Sequence, residues 1–104
     1  MPSVTERSVP VLEQSGYSQR NLLDWEGARI FLEIVRKGSF RSAAESMNIS
    51  VNALRRKFVQ FEAHLGMILL TRHTDGVRLT NEGHLVLPAA ERMEAASFDF
   101  VLAF

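Results

Sequence analysis

The 104-residue sequence contains no cysteine, which removes disulfide staples, thiolate metal sites and thiol nucleophiles together and suits a reducing compartment. It has no apolar run approaching the ~20 residues that a bilayer-spanning helix requires. Its start, Met1-Pro2-Ser3-Val4-Thr5-Glu6, lacks the basic-then-apolar layout of a secretory signal, so a cytoplasmic protein with no membrane association is expected. Proline is scarce, at three residues, and net charge is absent. With 46 % hydrophobic and 23 % charged residues, neither a disordered nor a collagenous chain is indicated. Histidine is sparse too. His64, His73 and His84 match no helical metal-pair spacing, so no metal site, no cofactor and no catalytic constellation is expected.

What is present is one domain's worth of chain, enough to bury a core without covalent help. The zero net charge conceals an uneven distribution. Residues 25 to 80 carry nine Arg and Lys against five Asp and Glu, while the segments on either side are net acidic. A basic centre favours an acidic partner only if the fold gathers those charges on one surface.

Residues 1–22, with Pro2, Pro10, Gly16 and no sustained period, read as a flexible leader. Asp24 can cap a following helix whose apolar stripe is Ala28, Phe31, Leu32 and Val35, widened by Ile34 and closed by Lys37-Gly38. Ser39 caps a short second helix with Phe40, Ala43, Ala44 and Met47 inward, ending near Asn48, a residue that tolerates left-handed backbone. Ser50 caps a third helix, Val51–Leu65, anchored by Leu54, Phe58, Phe61 and Leu65. Two helices so tightly linked form a helix-turn-helix.

After Gly66 the period changes to short strand-like runs, residues 68–72 and 76–79, around the hairpin signal Asp75-Gly76. These form a two-stranded wing. Thr80 caps a last helix on which Leu85, Ala89, Met93, Ala96, Phe100 and Phe104 recur in steps of three and four. Pro88 is expected to bend it. The predicted fold is mainly α: a winged helix-turn-helix of three helices plus a two-stranded wing over residues 23–79, then a long linker helix over residues 80–104.

On the third helix, Asn52, Arg56, Val59 and Ala63 fall opposite the anchors, flanked by Arg55 and Gln60. Such a helix presents its N-terminal end to the major groove, where Arg pairs with guanine and Asn with adenine. Asn52, Arg55 and Arg56 are therefore the expected base-reading residues, and a double-stranded DNA operator the expected partner. Ser39, Arg41, Ser50, Arg72 and Arg78 are the expected phosphate contacts. Leu85, Ala89, Met93, Ala96 and Phe100 predict a homodimer through the linker helix. A winged-helix protein-interaction module that does not bind DNA is the alternative.

These residues carry a resemblance. Phe31, Gly38-Ser39-Phe40, Ala43-Ala44, Ile49-Ser50, Ala53, Arg56, Phe61-Glu62, Leu65-Gly66, Leu69, Arg72, Val77-Arg78-Leu79-Thr80 and Gly83 follow one another at an ungapped spacing. From residue 23 to about residue 96 the sequence resembles the N-terminal domain of LysR-type transcriptional regulators. The resemblance implies a third helix that reads an interrupted palindrome and a fourth that joins two such domains, and it places Glu62, which looks catalytic in isolation, in the scaffold, holding an Arg or a helix end. It also implies that a larger region of two α/β lobes normally follows, where a small-molecule effector would bind, and that this sequence does not contain it. The chain departs from the family at Val51-Asn52, Arg55 and Leu70, so operator preference does not transfer.

Overall fold

The computed structural model describes residues 25–103; the leader read over residues 1–22 and the Asp24 cap lie outside the described residues. Four helices and one hairpin follow in chain order: α1 (Trp25–Lys37), α2 (Phe40–Met47), α3 (Val51–Leu65), β1 (Leu70–His73), β2 (Gly76–Leu79) and α4 (Asn81–Leu102). Helix α1 is central, packing against α2, α3, α4 and the second wing strand. It buries Ile30 together with the predicted Ala28, Phe31, Leu32 and Ile34, because neighbours cover more than one of its faces.

The helix ends are set by side chains. Ser39 Oγ accepts from the Ser42 amide at 3.1 Å, and Ser50 Oγ accepts from the Ala53 amide at 3.0 Å. Each satisfies a donor that the first helical turn leaves open. Asn48 stops α2 in left-handed backbone, φ 60° and ψ 43°. The core beneath is partly aromatic. Phe31 stacks on Phe58 with centroids 6.2 Å apart, and Phe40 meets Phe58 edge-on at 5.8 Å.

The wing is antiparallel, in the register Leu70↔Leu79, Thr71↔Arg78, Arg72↔Val77 and His73↔Gly76. Its first strand begins later than the apolar run starting at Ile68 implies, and Glu62 supplies the reason. Glu62 Oε2 accepts from the amides of Leu69 at 2.7 Å and Leu70 at 3.4 Å. The carboxylate therefore holds the entry to the wing, not an arginine. The far end of the hairpin is tied to the α1–α2 turn by a bond from Val77 N to Gly38 O at 3.2 Å. A Cβ at Gly76 would lie 2.7 Å from that same oxygen, so only glycine permits the approach.

Thr80 joins the wing to α4: its hydroxyl donates to Ile68 O at 2.6 Å and accepts from the Gly83 amide at 2.9 Å. Helix α4 then runs unbroken through the exposed Pro88, which has no amide to donate to the His84 carbonyl one turn earlier. Its inner face is Gly83 and Ala90, fully buried, with Val86, Leu87 and Met93 packed beside the core. Of the expected stripe, Met93 lies against its own domain and Ala89 is half-buried, while Leu85, Ala96 and Phe100 are exposed.

Arg36 at the end of α1 grips Glu94 of α4 through two hydrogen bonds of 2.7 Å each. The guanidinium holds the Glu94 carboxyl below its ordinary pKa, the donated hydrogen bonds being the main cause. The same pair raises the Arg36 pKa. A forked pair of this kind fixes orientation as well as distance.

Candidate nucleic-acid interface

Helix α3 is divided lengthwise. Leu54, Phe58 and Phe61 are buried, while Asn52, Arg56, Val59, Gln60 and Ala63 are exposed on the opposite side. The residue spacing alone dictates this division, since 3.6 residues per turn keeps each set on its own face. Asn52 and Arg56 sit one turn apart near the capped end. Neither makes an ion pair or side-chain hydrogen bond among the described residues, so their donors are open to a partner. Lys57, by contrast, is engaged by Glu26 at 3.3 Å.

Arg55 lies differently from its two expected companions. It is partly buried, with its guanidinium carbon 5.6 Å from the centre of the Phe40 ring. Its Nε is covered and has no hydrogen-bond acceptor among the described residues. The helical wheel puts it on the flank of α3, but only the packing of α2 shows which neighbour that flank meets.

Three of the expected phosphate contacts, Ser39, Arg41 and Arg72, lie around this flank. Ser39, Arg41, Arg55 and Arg72 border a cleft of about 600 Å³ between the start of α2, the start of α3 and the wing, together with Lys37 and His73. The hydroxyls of Ser39 and Ser50 each accept a backbone amide as caps, which leaves the O–H of each to donate elsewhere. Arg41 is exposed. Arg72 extends from β1 so that its guanidinium carbon also stands 5.6 Å from the Phe40 ring centre. Arg78 points away on the opposite side of the hairpin ladder, loosely paired with Asp75 at 3.7 Å. Exposed pairs of that length contribute little and are readily exchanged for another anion.

Sequence reasoning did not single out Lys37, Phe40 and His73 as functional. Lys37 was legible as a helix end and Phe40 as core, and nothing in their spacing brings them to the wing. His73 instead meets Thr71, ring Nε2 to Oγ1 at 2.8 Å, on the exposed wing. Among the described residues no group of three His, Asp or Glu side chains converges as a metal site would require. No helix among them is long and apolar enough to cross a membrane.

Comparison with known proteins agrees with this geometry. Residues 25–84 match the family described as bacterial regulatory helix-turn-helix protein, lysR family. The HTH-type transcriptional regulator HdfR of Escherichia coli (strain SMS-3-5) is 39 % identical over 71 residues, which cover 68 % of this chain and 25 % of the relative. The chain thus spans about a quarter of the length of the curated relatives it matches.

Among solved structures, the oxidized form of Corynebacterium glutamicum OxyR superposes with a TM-score of 0.72 at 30 % identity, covering 76 % of this chain and 26 % of that one. The BenM DBD in complex with catB site 1 DNA superposes with a TM-score of 0.73 at 28 % identity, covering 78 % and 91 %. A capped recognition helix, a wing locked to the α1–α2 turn and a family match across more than half the residues lead to one assignment: the chain belongs to the LysR family of bacterial regulatory helix-turn-helix proteins.

Proposed function

We propose that this chain is the sequence-specific DNA-binding part of a LysR-type transcription regulator, with α3 in the major groove and the wing on the phosphate backbone. The observation that carries this reading is the pair Asn52 and Arg56, exposed and unengaged among the described residues, on a helix anchored from below by Leu54, Phe58 and Phe61. Arg56 can pair with guanine and Asn52 with adenine, each through two hydrogen bonds. Ser39, Ser50, Arg41, Arg72 and Arg78 supply sequence-independent phosphate contacts. A bound duplex structure of the related BenM DBD supports the same use of the fold.

The linker helix α4 joins two copies into a homodimer through its outer residues, including Leu85, Ala96 and Phe100. The whole regulator acts in the cytoplasm without catalysing a reaction, and its small-molecule effector binds a region beyond this sequence. The exposed and unengaged Asn52 and Arg56 at the front of α3 weigh against a pure protein-interaction module.

The test is titration of the chain with duplexes drawn from a random library at several salt concentrations. Affinity should fall steeply and linearly on logarithmic axes as salt rises, because bound phosphates release counterions. Absence of binding to every duplex at low salt would overturn the proposal.

A further inference from the structure

We infer that Arg55 and Arg72 act as a paired clamp for one DNA backbone phosphate in the cleft between α2 and the wing, and that Arg55 is not a base reader. The inference rests on the DNA-binding reading above and assigns this flank of α3 a different task from its front. Four observations lead to it.

First, both guanidinium carbons stand at 5.6 Å from the centre of one ring, that of Phe40. Two like charges are thus gathered at one aromatic platform, and neither has a carboxylate partner among the described residues. The acidic residue bordering the cleft, Asp75, is turned to Arg78. Second, the platform is held from below, since Phe40 meets the buried Phe58 edge-on. The two cations are therefore positioned before any ligand arrives.

Third, Phe40 and Arg41 open α2 and border the same cleft as the two guanidinium groups, and amides of a first helical turn have no intrahelical acceptor and favour an anion. Fourth, Arg55 lines the cleft while its Nε is covered and lacks an acceptor among the described residues, so the terminal nitrogens of the guanidinium are the donors left to meet a ligand. A planar guanidinium offers parallel N–H donors that match phosphate oxygens.

The placement also argues against base reading. Asn52 and Arg56 project from the front of α3, where base edges would lie. Arg55 is drawn sideways toward the wing, where a strand bordering the groove would pass. The ligand is accordingly a phosphodiester of the bound duplex.

The test compares the wild-type chain with R55Q on two probes, a duplex selected by the wild type from a random library and a scrambled duplex. The clamp requires R55Q to lose affinity for both by the same factor, on the order of tenfold. It also requires the slope of log affinity against log salt to drop by about one, with the sequences selected by R55Q unchanged. Replacing phosphates one at a time by neutral methylphosphonate should reveal one position that weakens the wild type strongly and R55Q less, because Arg72 still holds that phosphate in the variant.

R55K, which keeps the charge and loses the fork, should bind with intermediate affinity and an unchanged slope. It serves as the reporter if thermal unfolding shows R55Q to be misfolded. A new base preference in R55Q, or unaltered affinity on both probes, would overturn the clamp while leaving the DNA-binding reading intact. Failure of the wild type to bind any duplex would overturn both.

Discussion

Helices α3 and α4 use their apolar residues in opposite ways. Along 15 residues α3 buries Leu54, Phe58 and Phe61. Along 22 residues α4 buries only Gly83 and Ala90 and leaves Leu85, Phe98, Phe100, Val101 and Leu102 exposed. The body of the domain has consumed the apolar face of α3, which frees the other face to meet a polar ligand. Helix α4 carries more apolar surface than the described residues cover, a surplus that the proposed dimer would bury.

The strongest way to break the comparison is Phe58→Ala. Phe58 touches Phe31, Phe40 and Phe61, and truncating a buried Phe costs about 3–5 kcal/mol. Urea unfolding should show a loss of that size. A loss no larger than that of an exposed residue would mean that α3 is not the anchored helix described.

Binding sharpens the division within α3 and the wing. Arg56→Ala should weaken the selected duplex by about 1–3 kcal/mol and relax one base position. Arg78→Ala should weaken all duplexes alike and flatten the salt dependence. Equal losses on selected and scrambled DNA for Arg56→Ala would remove its reading role.

The surplus on α4 is tested by Leu85→Glu. Leu85 is 78 % exposed, so the domain's unfolding free energy should change by no more than about 0.5 kcal/mol. Sedimentation should nevertheless show dimers replaced by monomers, because a charge would be trapped in an apolar interface. An unchanged dimer would place the contact elsewhere.

The smallest effect concerns the tie between α1 and α4. Because Arg36 holds the Glu94 carboxyl below its ordinary pKa, the pair stabilises the fold above the usual carboxylate range. That contribution disappears as pH falls through the lowered folded-state pKa. Glu94→Gln should lower the Tm slightly at neutral pH and leave it equal to wild type in acid. A difference that persists in acid would attribute the effect to packing instead.

Much of the fold was readable from single residues. Ser39, Ser50 and Thr80 cap the helices expected of them, Asn48 adopts the left-handed stop, and Asp75-Gly76 closes the hairpin. Each of these is a local competition between a side chain and the backbone beside it, so sequence neighbours suffice to decide it. Glu62 was legible as scaffold, but its partners, the amides of Leu69 and Leu70, depend on how the chain turns after Gly66. Met93 fits a continuous outward stripe by spacing alone, yet it packs inward because the adjoining body occupies part of that face.

The sequence by itself determined where the helices are capped, that a hairpin turns at Asp75-Gly76, and which residues of α3 face apart, since period and capping operate within a few bonds. Only the tertiary structure decided that Arg55 and Arg72 share the Phe40 ring, that the wing is fastened at Gly38, and that Arg36 reaches Glu94. Those contacts join segments distant in the chain, and their partners are chosen by the packing of α1, α2 and α4 around one core rather than by any pattern within a segment.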